Sequence, residues 1–221
     1  MKISKLVVAV VGVAICATTA SAQVCQGDLS FRSSSTHIGG SLGLSDNATS
    51  FGAGMTVGHR QGWYTGGSVG MLTYDNLDGN TISVNGGVGY SMPLQNKSKW
   101  QLCPGGTVSL GFGPSIETGA GSMKTASQTL TMGASVGTSV AMNKTVNLLP
   151  FASAGLGYTR LSAKLNGASD SETDTYLLLG VGAGIQLTPS FVVRPSLSLA
   201  AASELIDDTV FSLGFTFALP R

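Results

Sequence analysis

Charge is scarce in this sequence. Charged residues make up 10% of its 221 positions, against roughly 25% in a typical soluble domain. A water-soluble β-domain of this size needs charge on its outer surface, so the shortage argues against one. With a formal net charge of +1 and no basic patch, nothing points to nucleic acid as a partner. Histidine is nearly absent: only His37 and His59 occur. Too few ligating side chains lie close together for a zinc site. Beyond the first 22 residues no apolar run approaches the ~20 residues of a membrane helix, and no helical periodicity replaces it.

The first 22 residues read as a secretion signal. Lys2 and Lys5 form a positive start, Leu6–Cys16 is apolar, and Ala20-Ser21-Ala22 is an A-x-A cleavage site. The mature chain then starts at Gln23. Ile15 and Val24, preceding Cys16 and Cys25, are too large for a lipoprotein signal. Residues 23–35 form a short leading segment, and 36–219 form the domain. Cys25 and Cys103 survive cleavage into an oxidising compartment, where an even pair suggests a disulfide. Two unrelated thiols are the alternative.

The sequence is rich in glycine, 31 residues, set inside alternating runs rather than in linkers. Thr81–Met92 shows the pattern: Ile82, Val84, Val88, Tyr90 and Met92 alternate with Thr81, Ser83, Asn85, Gly87, Gly89 and Ser91. Period two is the signature of a strand with one apolar and one polar face. Ten such runs can be read: His37–Leu44, Ser50–His59, Trp63–Tyr74, Thr81–Met92, Trp100–Phe112, Thr129–Met142, Val146–Leu161, Thr175–Leu187, Phe191–Ala201 and Val210–Leu219. Most reach the ~9–11 residues that span a bilayer when tilted. The connections alternate between short turns (59–62, 95–99, 143–145, 188–190) and longer loops (75–80, 113–128, 162–174, 202–209), with 45–49 intermediate but in the long phase.

Three prolines, Pro104, Pro150 and Pro195, recur at near-equal spacing just after short turns. A proline has no N–H for the ladder, so the recurrence suggests a shared rim feature at that level, such as a bulge. With charge so scarce, the apolar face must meet lipid, and closure into a barrel removes unpaired edges. The fold class is therefore all-β: a closed antiparallel up-and-down transmembrane β-barrel of about ten strands, eight being the alternative. Trp63, Trp100 and Phe191 each open a strand after a short turn, which predicts an aromatic girdle at the periplasmic interface. Acidic residues other than Asp28 fall on the long-loop side, and basic ones favour the short-turn side. Arg160 is on the lipid-facing parity near a loop end, where it can snorkel to headgroups.

The signal peptide, the ten alternating strands and the final run Val210–Leu219 resemble the small Gram-negative outer-membrane β-barrel superfamily, which includes opacity proteins. The resemblance implies residence in the bacterial outer membrane, contact with the bilayer and lipopolysaccharide, and insertion by the barrel assembly machinery. Such barrels usually end in an aromatic residue. This chain has Phe215 and Phe217 followed by Ala218-Leu219-Pro220-Arg221.

Catalytic motifs are weak. Gly66–Gly70 and Gly133–Gly137 match G-x-S-x-G but lie inside strands, where the required strand–turn–helix elbow cannot form. No helix follows Gly180–Gly184, so it is no dinucleotide site. Both histidines read as solvated residues at the short-turn rim. The acidic loop clusters Asp170/Glu172/Asp174 and Glu204/Asp207/Asp208 offer hard oxygen ligands for divalent cations, but their spacing fits no known loop, and solvated charge is the plainer reading. No catalytic residue, cofactor or metal site is therefore expected. Cys25 and Cys103 fall at the same end, so a bridge would fasten residues 23–35 into the barrel mouth. Inward positions are small, leaving the lumen flattened, plugged or narrowly open. The expected function is a structural or surface-interaction barrel acting through acidic external loops. The alternative is a narrow pore or small-solute channel, and an outer-membrane enzyme is a third, less favoured reading.

Overall fold

The structure is a computed structural model that describes residues 24–29, 31, 36–59, 62–75, 79–94, 99–118, 121–143, 145–166, 168–201 and 209–219. Residues 1–22, where the secretion signal is expected, Arg32, Arg60, Lys97, Lys144, Arg221 and the cluster Glu204/Asp207/Asp208 lie outside the described residues. Among the described residues ten long strands form the wall. They are β1 (Thr36–Ser45), β2 (Ala48–Gly58), β3 (Trp63–Tyr74), β4 (Asn80–Tyr90), β5 (Trp100–Thr118), β6 (Gly121–Thr138), β7 (Asn147–Leu165), β8 (Ala168–Thr188), β9 (Phe191–Ala201) and β10 (Thr209–Ala218). Short continuations follow β4 at Met92–Pro93 and β6 at Val140–Ala141. Each strand pairs antiparallel with the next, and β1 pairs with β10 from His37↔Ala218 to Leu44↔Phe211. The ring is closed, with ten strands rather than eight.

The alternation read from the sequence decides the faces. Phe51, Val69, Ile82, Val84, Val108, Met132, Leu156, Val181 and Phe215 are exposed on the outer wall. Their neighbours Ser50, Ser83, Asn85, Ser109, Thr131, Ser135, Ser212 and Thr216 are buried in the lumen. A protein exposing this much large apolar surface has a non-aqueous surrounding.

Two long loops of the sequence reading prove to be strand. Residues 113–118 and 121–128 continue β5 and β6, with Thr118 opposite Gly121. Residues 162–165 and 168–174 continue β7 and β8 around Asn166, whose φ is +49°. These four strands have 18 to 21 residues, against 10 to 12 elsewhere in the ring. On one side β4 stops pairing at Ile82↔Phe112, and on the other β9 stops at Leu177↔Ala201. The hairpins therefore project beyond the ring as a four-stranded sheet. Asp170, Glu172 and Asp174 stand on β8 in that sheet, not in a loop.

The prolines correct a second expectation. Pro104, Pro150 and Pro195 each face a gap in the ladder to the preceding strand, at Tyr90, Thr138 and Ala183 respectively. Pairing resumes in the same register beyond each gap, as at Gly89↔Gly105 and then Met92↔Leu102, or Gly182↔Ser196 and then Ile185↔Val193. The missing N–H removes bonds without inserting a residue, so these are interruptions and not bulges.

Candidate functional site

The short-turn end of the lumen is filled by the chain's own leading segment. A 3₁₀ turn at Val24–Gln26 is followed by Gly27, whose φ of +70° reverses the chain where a Cβ would be strained. The segment's backbone lies directly on the barrel wall. A Cβ built at Gly184 would collide with the Gly27 carbonyl, and one at Gly137 would stand 2.6 Å from the Val24 carbonyl oxygen. Glycine at these wall positions makes room for the segment.

Three attachments hold it. Cys25 is bonded to Cys103 of β5, with 6.0 Å between their Cα atoms, a separation ordinary for a disulfide. Apolar packing is the second attachment: Leu29 packs with Leu149 and Val192. Phe31 stacks on His37 at 4.4 Å and lies 6.2 Å from Tyr64, with its ring filling the space above Gly58. His37 is thus buried, 2% exposed, instead of solvated at the rim as its position in the sequence suggested. His59 remains exposed.

The third attachment is an ion pair made by Asp28, the one acidic residue set apart from the long-loop side, with a basic residue of the wall. Arg194 of β9 lies 3.4 Å from Asp28, and both side chains are almost fully buried. Its Nη1 also donates to the Gln26 carbonyl at 3.2 Å. The Asp28 carboxylate accepts from the Thr216 hydroxyl at 2.8 Å and from the Leu29 amide at 2.7 Å. Burial pushes the Asp28 carboxyl above the usual carboxylate range. The guanidinium and the two neutral donors pull it back only partly.

Beyond this plug, toward the projecting sheet, lies a cavity of about 210 Å³. Arg194, Ser68, Asn85, Ser135, Ser153 and Ser196 line it, among many glycines. Asn85 Nδ2 donates to Ser68 Oγ at 3.3 Å. Asn85 Oδ1 and Ser135 Oγ have no partner within the protein, as suits a polar chamber large enough for water. Toward the opposite rim the lumen carries larger buried side chains, among them Leu72, Leu161, Tyr176 and Val210. The Thr129 and Thr159 hydroxyls meet at 2.9 Å in that region. Of the three interior states left open by the sequence, the structure has a plug with a chamber above it.

Trp63, Trp100 and Phe191 are the first residues of β3, β5 and β9, at the same end as the plug. Both tryptophans are exposed, and Trp63 packs against Tyr90 at 4.8 Å. Phe191 stacks on Phe217 at 4.4 Å. The serines of the two G-x-S-x-G matches, Ser68 and Ser135, lie within β3 and β6, and neither is hydrogen-bonded to a histidine. Asp170 and Asp174 accept from the Ser171 and Thr175 amides instead of converging on one point. No group of carboxylates, cysteines and histidines fit to hold a metal is found among the described residues.

The disulfide gives a first testable outcome. It closes a loop with a sequence separation of 78, worth about 4 kcal/mol in the chain-entropy picture. Oxidised mature protein is expected to take up no maleimide at Cys25 or Cys103 when unfolded, and two equivalents after reduction. Alkylation before reduction would contradict the bridge.

An apolar outer wall, a closed antiparallel ring and a polar, self-plugged lumen define a membrane β-barrel. The chain belongs to the outer membrane protein beta-barrel domain family, whose pattern it matches over residues 8–218. Its place is accordingly the bacterial outer membrane. No curated protein sequence matches it. Among solved structures, the β domain of the Bordetella autotransporter BrkA aligns with 85% of this chain and 100% of its own, at 12% identity and a TM-score of 0.55. Ail, the attachment invasion locus protein of Yersinia pestis, aligns over 84% and 97% at 19% identity and a TM-score of 0.44. Neisserial surface protein A aligns over 84% and 98% at 14% identity and 0.40. At these identities the likeness is one of fold.

Proposed function

We propose that this barrel is a surface-interaction protein that presents the four-stranded β5–β8 sheet outside the cell, with its short turns and plug toward the periplasm. The observation that carries the reading is the projection itself. Four adjacent strands rise beyond their neighbours, from Phe112 on one side and Leu177 on the other. A strand pair extended far past the lipid adds nothing to the wall and is the natural place to meet a partner. Asp170, Glu172 and Asp174 alternate along β8 and give one face of the sheet a negative stripe suited to a basic partner surface. No catalytic role is proposed, because among the described residues no serine–histidine pair or metal cluster backs the weak motifs.

Trimming both hairpins, by replacing residues 114–125 and 162–172 with two-residue turns, tests this. The trimmed barrel is expected to keep its heat-modifiable gel shift. Cells carrying it should lose adhesion to a panel of immobilised matrix proteins and to polylysine. Unchanged adhesion of cells carrying the trimmed barrel would count against the reading. The chamber above the plug favours one second reading, a solute channel that opens when the plug leaves.

A further inference from the structure

The sulfurs of the Cys25–Cys103 bond have almost no exposed surface. Cys25 is fully buried and Cys103 is 1% exposed. Cys103 is the fourth residue of β5, which puts it about 10 Å along the strand from Trp100, at ~3.3 Å per residue. It faces the lumen, and both cysteines form one buried cluster with Phe31 and Tyr64. The Tyr64 ring lies over Gly89 of β4, and Gln26 Nε2 donates to its hydroxyl at 3.2 Å. On the wall side the leading segment is equally close. The Cys25 Cα stands 2.9 Å from where a Cβ on Gly137 would be. Two aromatic rings, the docked segment and the wall therefore enclose the bond.

Making such a bond takes an oxidant, and in the periplasm that is a protein with a reactive disulfide of its own. One cysteine thiolate of the chain attacks the oxidase disulfide, which breaks as a mixed disulfide forms. The second cysteine thiolate then attacks its partner's sulfur and expels the oxidase thiolate. Two electrons, and through water two protons, pass to the oxidase, which leaves as a dithiol. The second step needs three sulfurs in line, one of them carried by the oxidase. In the closed ring the two Cα atoms are 6.0 Å apart inside the lumen. The third sulfur would have to enter the barrel mouth with a folded domain attached, where Phe31, Tyr64 and residues 27–29 already lie. Swinging the leading segment out would free Cys25 alone, because Cys103 stays on the wall and points inward.

We infer that the unassembled chain is the substrate of a periplasmic dithiol oxidase, and that the Cys25–Cys103 bond is made before the ring closes. The wall is then built around a segment that is already fastened. The topology permits this order. The strands between the two cysteines are β1–β4. β10, which closes the ring on β1, lies outside the tied loop. A chain already bonded can therefore pair all ten strands without threading one through the loop.

The test gives a purified periplasmic dithiol oxidase, in its disulfide form, to the reduced mature chain. It is added either as the chain is diluted from urea into detergent or after refolding in the same detergent, with folding confirmed by the heat-modifiable gel shift. Bond formation is read as loss of maleimide uptake. The refolded barrel is expected to be oxidised about a hundredfold more slowly, since its reaction waits on partial unfolding. Equal rates would overturn the inference. In pulse-labelled cells the oxidised chain should appear before the heat-modifiable band, and cells depleted of the barrel assembly machinery should accumulate oxidised mature chain. A folded but reduced barrel that becomes oxidised during the chase would contradict the order. So would reduced mature chain accumulating in the depleted cells.

Discussion

Met132→Arg is expected to abolish assembly into the outer membrane, while Ser198→Arg leaves it intact. Met132 stands on the outer face of β6 with its side chain 62% exposed, between Gly106 and Leu156 on the adjoining strands. If that face meets hydrocarbon, an arginine near the bilayer midplane costs about 2–4 kcal/mol in a membrane barrel. That is a large part of the stability of a small domain. Ser198 faces the lumen and lines the chamber, where a long polar side chain finds water and hydroxyls. The measurement is the heat-modifiable band in outer-membrane fractions. The expected pattern is loss for Met132→Arg and retention for Ser198→Arg. The opposite pattern would mean that the apolar face is the interior.

The second large effect is at the buried ion pair. Asp28→Ala leaves the Arg194 guanidinium buried with its carboxylate partner gone, and breaking one side of a buried pair costs about 3–5 kcal/mol. The loss falls on the docked segment rather than the ring, since the ten strands hold one another through their own ladders. With the disulfide reduced, residues 23–35 of Asp28→Ala are expected to be cut by protease at low doses that spare the reduced wild type. Replacing the pair by Asp28→Leu with Arg194→Met should recover most of the protection, because well-packed apolar replacements of buried pairs are often close to neutral. Equal protease resistance of Asp28→Ala and wild type would show that Leu29 and Phe31 alone hold the segment.

How legible all this was depends on what each residue borders. Where one face meets lipid and the other the lumen, as along Thr81–Tyr90, hydrophobicity alternates and both strand and face can be read directly. That reading also placed Cys25 and Cys103 at one end, on the correct side of the wall. The hairpin tops could not be read this way. Above the lipid both faces of residues 113–128 and 162–174 meet water, so the period-two signal vanishes while the backbone pairing continues. Gly113, Pro114, Gly119 and Gly121 then look like a loop. The burial of His37 was hidden because it comes from Phe31 folding back onto it, and no local pattern encodes that docking. The Asp28–Arg194 pair, 166 residues apart, left a fainter trace. Asp28 is the lone acidic residue on the short-turn side, where basic residues such as Arg194 gather, and a single acid among them invites pairing.

The central question about this barrel is whether its lumen is shut by its own leading segment. Planar-bilayer recording of the oxidised, refolded mature protein measures that. The plugged barrel is expected to show no steady channel conductance. A stable, ohmic conductance from the oxidised wild-type protein would contradict the plug and make this barrel a pore.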